Sequence, residues 1–91
     1  MTTFLIERNI PGASELTREQ LREIAVTSNK VVDELGVAYT WRHSYVAGDK
    51  IYCVHETEDV ETIREHARRG GFPADLVVTV AAEIGPETAY V

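Results

Sequence analysis

Residues 37–56, VAYTWRHSYVAGDKIYCVHE, decide the fold. Their first ten positions are rich in β-branched and aromatic types and read as a long strand. Gly48-Asp49 offers a turn, and KIYCVHE (50–56) reads as the returning strand of a hairpin. The pairing has two solutions. A three-residue loop (47–49) sets residue 43 opposite residue 53 on one face. A two-residue loop (Gly48-Asp49) pairs 43 with 54 and sends Cys53 to the other side. A slip of one residue turns every side chain over, so both pairings stay open at this level.

Upstream of the hairpin, Leu21, Ile24, Ala25, Ser28, Val31, Val32 and Leu35 recur at helical spacing. Thr17-x-x-Gln20 makes a capping box at their head, and Gly36 stands where a C-terminal stop belongs, which predicts a helix over roughly 17–35. Before it, TFLIER (3–8) reads as a strand broken by Pro11-Gly12. Downstream, Thr57 is the expected N-cap of a second helix, with Glu58 and Asp59 in its first turn. Val60, Ile63 and Ala67 form its apolar stripe, and Arg68-Arg69 followed by Gly70-Gly71 and Pro73 end it. DLVVTVAAE (75–83) reads as a last, buried strand, and a tail follows from about residue 84.

The order β-α-β-β-α-β predicts one α+β domain over 1–91 with the ferredoxin-like arrangement, a four-stranded antiparallel sheet with two helices on one face. Each helix has a single apolar stripe, so the other face stays uncovered. Some of Tyr39, Trp41, Tyr45, Ile51 and Tyr52 fall there, and uncovered aromatics on that scale mark an interface. With 91 residues the core is modest. Face-to-face pairing of two sheets, as in a dimeric α/β barrel, would enlarge it, and a homodimer is expected.

Composition excludes several classes. The charged fraction is 26%, and nine basic against fifteen acidic residues leave a net charge of −6. That balance lacks the basic stripe that nucleic acid or an anionic membrane requires. No segment approaches the ~20 apolar residues of a membrane span. The start, MTTFLIERN, has no basic n-region and does not read as a signal peptide. The lone Cys53 has no disulfide partner, so a reduced thiol and a cytoplasmic location are expected.

Phosphate loops, nucleophile elbows, Cys-x-x-Cys pairs and His-Glu-x-x-His helices are all missing from the sequence. What remains is a set of metal-competent side chains: His43, Cys53, His55 and His66. Cys53 and His55 lie two apart on a strand and leave the same face, which is half a site for a borderline-soft ion such as nickel, zinc or copper. His43 joins them only in one of the two registers. Each has a plainer reading: Cys53 as a small buried hydrophobe, His55 as an exposed strand residue, and His66 as a solvated or capping histidine at the helix end. A different use of the region is a small-molecule pocket between sheet and helices, lined by Tyr39, Trp41 and Tyr45 with His43 as a general base. Core or interface packing would occupy those aromatics equally well.

WRHSYV (41–46), DK (49–50), YC (52–53) and REHARRGGFPAD (64–75), with FLIERNIPG at the start, together resemble a family of small bacterial ferredoxin-like proteins. That family is catalogued as a domain of unknown function and described as nickel-binding. The resemblance runs from about residue 3 to residue 80. It implies a homodimer that binds nickel or another divalent transition metal, for sequestration or homeostasis rather than catalysis. His43, Ser44, Tyr45, Cys53 and His66 fall on positions that match the family's pattern, while at His55 a tyrosine is more usual. Imidazole and thiolate ligands bind deprotonated, so metal affinity is expected to weaken below about pH 6. The alternative is a cofactor-independent enzyme or ligand-binding module using the sheet–helix cleft.

Overall fold

Strand β1 (Thr2–Asn9) alternates strictly. Phe4, Ile6 and Arg8 point to one face and are buried, while Thr3, Leu5 and Glu7 point to the other. The computed structural model describes residues 1–90; Val91, the end of the expected tail, lies outside them. After Pro11-Gly12 and a 3-10 turn (Ala13–Glu15), helix α1 runs Arg18–Leu35. Both bonds of its capping box are present: the Gln20 amide donates to Thr17 Oγ1 at 3.1 Å and the Thr17 amide to Gln20 Oε1 at 2.9 Å. Gly36 ends it with φ 64°, a left-handed conformation that glycine adopts without a steric cost.

Strands β2 (Tyr39–Ala47) and β3 (Lys50–Thr57) form the hairpin with the two-residue loop, Ala47 opposite Lys50 and His43 opposite Val54. Gly48 takes φ 59°, as a type II′ turn requires at its first central position. The ladder then shifts: Trp41 pairs with His55, which leaves Arg42 as the extra residue of a bulge. Helix α2 (Val60–Gly70) and strand β4 (Leu76–Thr79) complete the chain, with a 3-10 turn at Pro86–Tyr90. The sheet order is β2-β3-β1-β4, antiparallel throughout, which is the expected α+β, ferredoxin-like topology.

Two local expectations give way. The N-cap of α2 is Asp59, whose carboxylate accepts from the Thr62 amide at 2.9 Å; Thr57 instead ends β3 fully buried, its hydroxyl donating to the Ala38 carbonyl at 2.8 Å. Strand β4 is shorter than 75–83 and is not buried throughout, with Leu76 and Val78 exposed. It is an edge strand paired only to Phe4–Glu7, and alternate residues face outward.

The core packs Phe4, Ile6, Ile51, Cys53 and Ile63 between the sheet and α2. Helix α1 lies mainly against α2 rather than against the sheet. A gap is therefore left between the first turns of α1 and the bulged hairpin.

Candidate functional site

The gap is a cavity of about 100 Å³. Leu21, Ile24 and Ser28 line it from α1; Trp41, Ser44 and Val46 from β2; Ile51, Cys53 and His55 from β3. Arg8 of β1, His66 of α2 and Phe72 close it. Phe72 is placed by the end of α2: its amide donates to the Ala67 carbonyl at 2.9 Å, folding the chain back in a Schellman-type closure. Gly70 permits this approach, because a Cβ there would collide with the Phe72 ring.

The bulge decides which hairpin side chains reach the cavity. Beyond it, Ser44 and Val46 face inward opposite Cys53 and Ile51; before it, Tyr39 and Trp41 face inward opposite Thr57 and His55. His43 and Tyr45 are left on the open face, their rings 5.1 Å apart and both side chains exposed. So the structure divides the residues singled out in the sequence. Tyr39, Trp41, Cys53, His55 and His66 are brought together, and His43 and Tyr45 stand on the far side of the sheet.

The inner group is tightly interlocked. His55 is not an exposed strand residue and His66 is not solvated: each is 1% exposed, because α2 packs His66 onto the inner face of β3, with ring centroids 5.1 Å apart. Tyr39 stacks on His66 at 5.2 Å and meets His55 edge-on, its hydroxyl 2.5 Å from His55 Nδ1. Trp41 lies over His55 and donates its indole N–H to Ser44 Oγ at 2.9 Å. His66 Nε2 is 3.0 Å from Ser28 Oγ, while its Nδ1 is buried with no hydrogen-bond partner. Burial pushes the His55 pKa down to about 3, helped by His66 and Arg8. His66 is pushed down to about 4, again chiefly by burial and then by Arg8, with the Ser28 contact acting the other way. Burial also raises the Tyr39 pKa, so phenol and both imidazoles are neutral at physiological pH.

Arg8 was not singled out in the sequence, although the alternation of Phe4, Ile6 and Arg8 was the signal that would have found it. It is 4% exposed. Its Nε donates to Cys53 Sγ at 3.3 Å, its Nη1 to the Pro73 carbonyl at 2.6 Å, and its guanidinium carbon lies 5.5 Å from the centroid of the Phe72 ring. In the sequence Ser28 is marked only by its place in the helix stripe and Phe72 only by its place in the 64–75 stretch. Both owe their roles to packing between distant segments.

As a metal centre the inner group fits poorly. Among the described residues no three His, Cys, Asp or Glu side chains stand together closely enough to hold one ion. A fixed guanidinium beside Cys53, His55 and His66 also opposes a divalent cation. On the open face, His43 shares a surface depression of about 240 Å³ with Glu56 and Glu83, although Arg42 lines it too and pairs with Glu56 at 3.0 Å.

The fold and the imidazole-bearing core define a small ferredoxin-like α+β domain with a buried, apolar, singly cationic cavity. Residues 4–80 match the family described as nickel responsive protein SCO4226-like, and the chain belongs to that family. The crystal structure of SCO4226 from Streptomyces coelicolor A3(2) is similar in fold, with a TM-score of 0.74 at 22% identity over 90% of this chain and 99% of that one. Among curated proteins no match is found. No helix of the described residues is long and apolar enough to cross a membrane.

Proposed function

We propose that the chain binds a divalent transition metal of the nickel type as a homodimer, through His43 on the open face of the sheet, in sequestration or homeostasis rather than catalysis. One observation carries the choice of ligand. Among the described residues His43 is the histidine with an exposed side chain, whereas His55 and His66 are each 1% exposed. Membership of a nickel responsive family supports the metal. Glu56 and Glu83 line the same depression as His43 and are oxygen donors, but the three do not stand close enough together to hold one ion within a single copy, so the shell would draw on a second copy. Exposed Leu5, Tyr45, Leu76 and Val78 on the same face suit a second copy, which would bring a second His43 toward the first. Cys53, His55 and His66, the other ligands considered, belong in this reading to the core.

Calorimetric titration of the tag-free protein with nickel and then zinc tests it, alongside sedimentation with and without metal. Micromolar or tighter binding is expected, lost in His43→Ala and kept in His66→Gln. Binding indifferent to His43→Ala, or millimolar throughout, overturns the assignment.

A second reading has its own observation. The cavity under α1 is apolar, with Arg8, Ser28, Ser44, His55 and His66 among the residues that line it, the form small-molecule sites take. It describes a ligand-binding module on the opposite side of the sheet from His43.

A further inference from the structure

We propose that the cavity under α1 is a binding site for a small organic carboxylate, its charge held by Arg8 and its short apolar body by the walls from α1, β2 and Phe72. The proposal rests on the ligand-binding reading above and adds the chemical class.

The argument starts from an unbalanced charge. Arg8 is 4% exposed, and buried cations in proteins are as a rule paired with an anion. Its hydrogen-bond partners are Cys53 Sγ and the Pro73 carbonyl, and neither is a carboxylate. Among the described residues no carboxylate forms an ion pair with it, and neither Asp nor Glu lines the cavity. The acids on neighbouring strand positions are turned away: Glu7 faces the open side and pairs with Lys50 at 3.0 Å. Among the described residues Nη2 of Arg8 has no hydrogen-bond partner, and Arg8 is one of the residues that line the cavity. A planar guanidinium at the wall of an apolar space, with no carboxylate of its own, is complementary to a carboxylate.

The other polar groups agree. Ser28 and Ser44 add hydroxyls to the lining. With His55 and His66 neutral, the single positive charge of the cavity belongs to Arg8. One charge calls for a monoanion rather than a phosphate dianion. Size narrows the class further: an apolar cavity of ~150 Å³ is enough for benzene. About 100 Å³ therefore takes a branched or short-chain carboxylate of four to six heavy atoms.

The test uses isobutyrate and its uncharged, nearly isosteric amide, isobutyramide, each titrated into the intact protein. Two-dimensional NMR of the backbone amides and the histidine rings is the readout. Isobutyrate is expected to shift the signals of Arg8, Ser28, His55 and His66, and isobutyramide to bind about tenfold or more weaker. Arg8→Gln is expected to abolish the preference while leaving the fold intact by circular dichroism. Equal binding of acid and amide to the wild-type protein overturns the carboxylate assignment and leaves the cavity as an apolar ligand site. Cavity signals that neither compound moves at millimolar concentration overturn both. The comparison of the two compounds decides the matter on the unaltered protein even where Arg8→Gln fails to fold.

Discussion

The two faces of the sheet are built from the same four strands, yet they follow different physical rules. On the inner face, every second residue of β3, from Ile51 through Cys53 and His55 to Thr57, is buried. Polar groups there survive by partnership: Thr57 with a carbonyl, His55 with a phenol, His66 with a serine, Arg8 with a thiol and a carbonyl. On the outer face, Leu5, Tyr45 and Val78 meet solvent, and charges are arranged as exposed pairs such as Arg42–Glu56 and Lys50–Glu7. The difference separates two kinds of histidine. Those inside are kept neutral by burial and answer to shape and hydrogen bonding, while the one outside is free to meet ions from solution. Any account of metal response has to say which kind it uses.

The largest expected contrast is between neighbours on β1. Ile6 is fully buried in the core and Leu5 is 37% exposed on the open face. Ile6→Ala should destabilise the chain by ~2–5 kcal/mol, the usual range for a truncated core aliphatic. Leu5→Ala should cost under ~1 kcal/mol in dilute, monomeric protein. Urea denaturation measures both. If the open face is covered by a second copy, the Leu5 effect grows with protein concentration while the Ile6 effect does not, which turns the same pair of variants into a probe of assembly.

Acid separates the faces next. The folded pKa values of His55 and His66 are lowered to about 3 and about 4, below the ordinary 6.5. Folding therefore favours their neutral forms, and in the window beneath 6.5 the unfolded chain binds more protons than the folded one. Stability is full above pH 6.5 and falls as pH drops, by on the order of 1.4 kcal/mol per pH unit for each histidine, until the folded pKa values are reached. The carboxylates of Glu56, Asp59 and Glu65 are also lowered, but from starting values near 4, so their contributions are lost only at lower pH. Midpoints of urea unfolding between pH 7 and 5 should decline, with about half the slope in His66→Gln. A flat profile over that range would contradict neutral burial of the pair.

Much of this contrast was legible in the sequence. The capping box at Thr17 and Gln20, the glycine stops and the Gly48-Asp49 turn signal are short-range devices whose chemistry is written in adjacent residues, and they placed both helices and the hairpin but left its loop length and register open. Tyr39, Trp41, Cys53, His55 and His66 were named as candidates, but the line between inside and outside was not. It is drawn at Arg42. Trp41, Arg42 and His43 are all acceptable strand residues, and no glycine marks the extra position as it does in some bulges. The unpaired charge of Arg8 was hidden for another reason, since whether a guanidinium finds a carboxylate depends on segments far apart in the chain.

The smallest expected effect tests that boundary directly. Deleting Arg42 removes the residue that has no cross-strand partner, and Trp41–His55 and His43–Val54 can then pair in unbroken alternation. The exposed ion pair to Glu56 is lost, and such pairs contribute little. The deletion should therefore be tolerated within about 1 kcal/mol, with Tyr39 still against His55 and His43 still in solvent. Deleting Ser44 instead closes the ladder only by using Arg42 as an ordinary strand residue, which puts His43 in the inward place opposite Cys53. That would press an imidazole into the cavity and remove the acceptor of the Trp41 indole N–H, at a cost above that of the Arg42 deletion. Equal damage from the two deletions would mean that Arg42 is not the extra residue, and that the division of the histidines between the faces has a different origin.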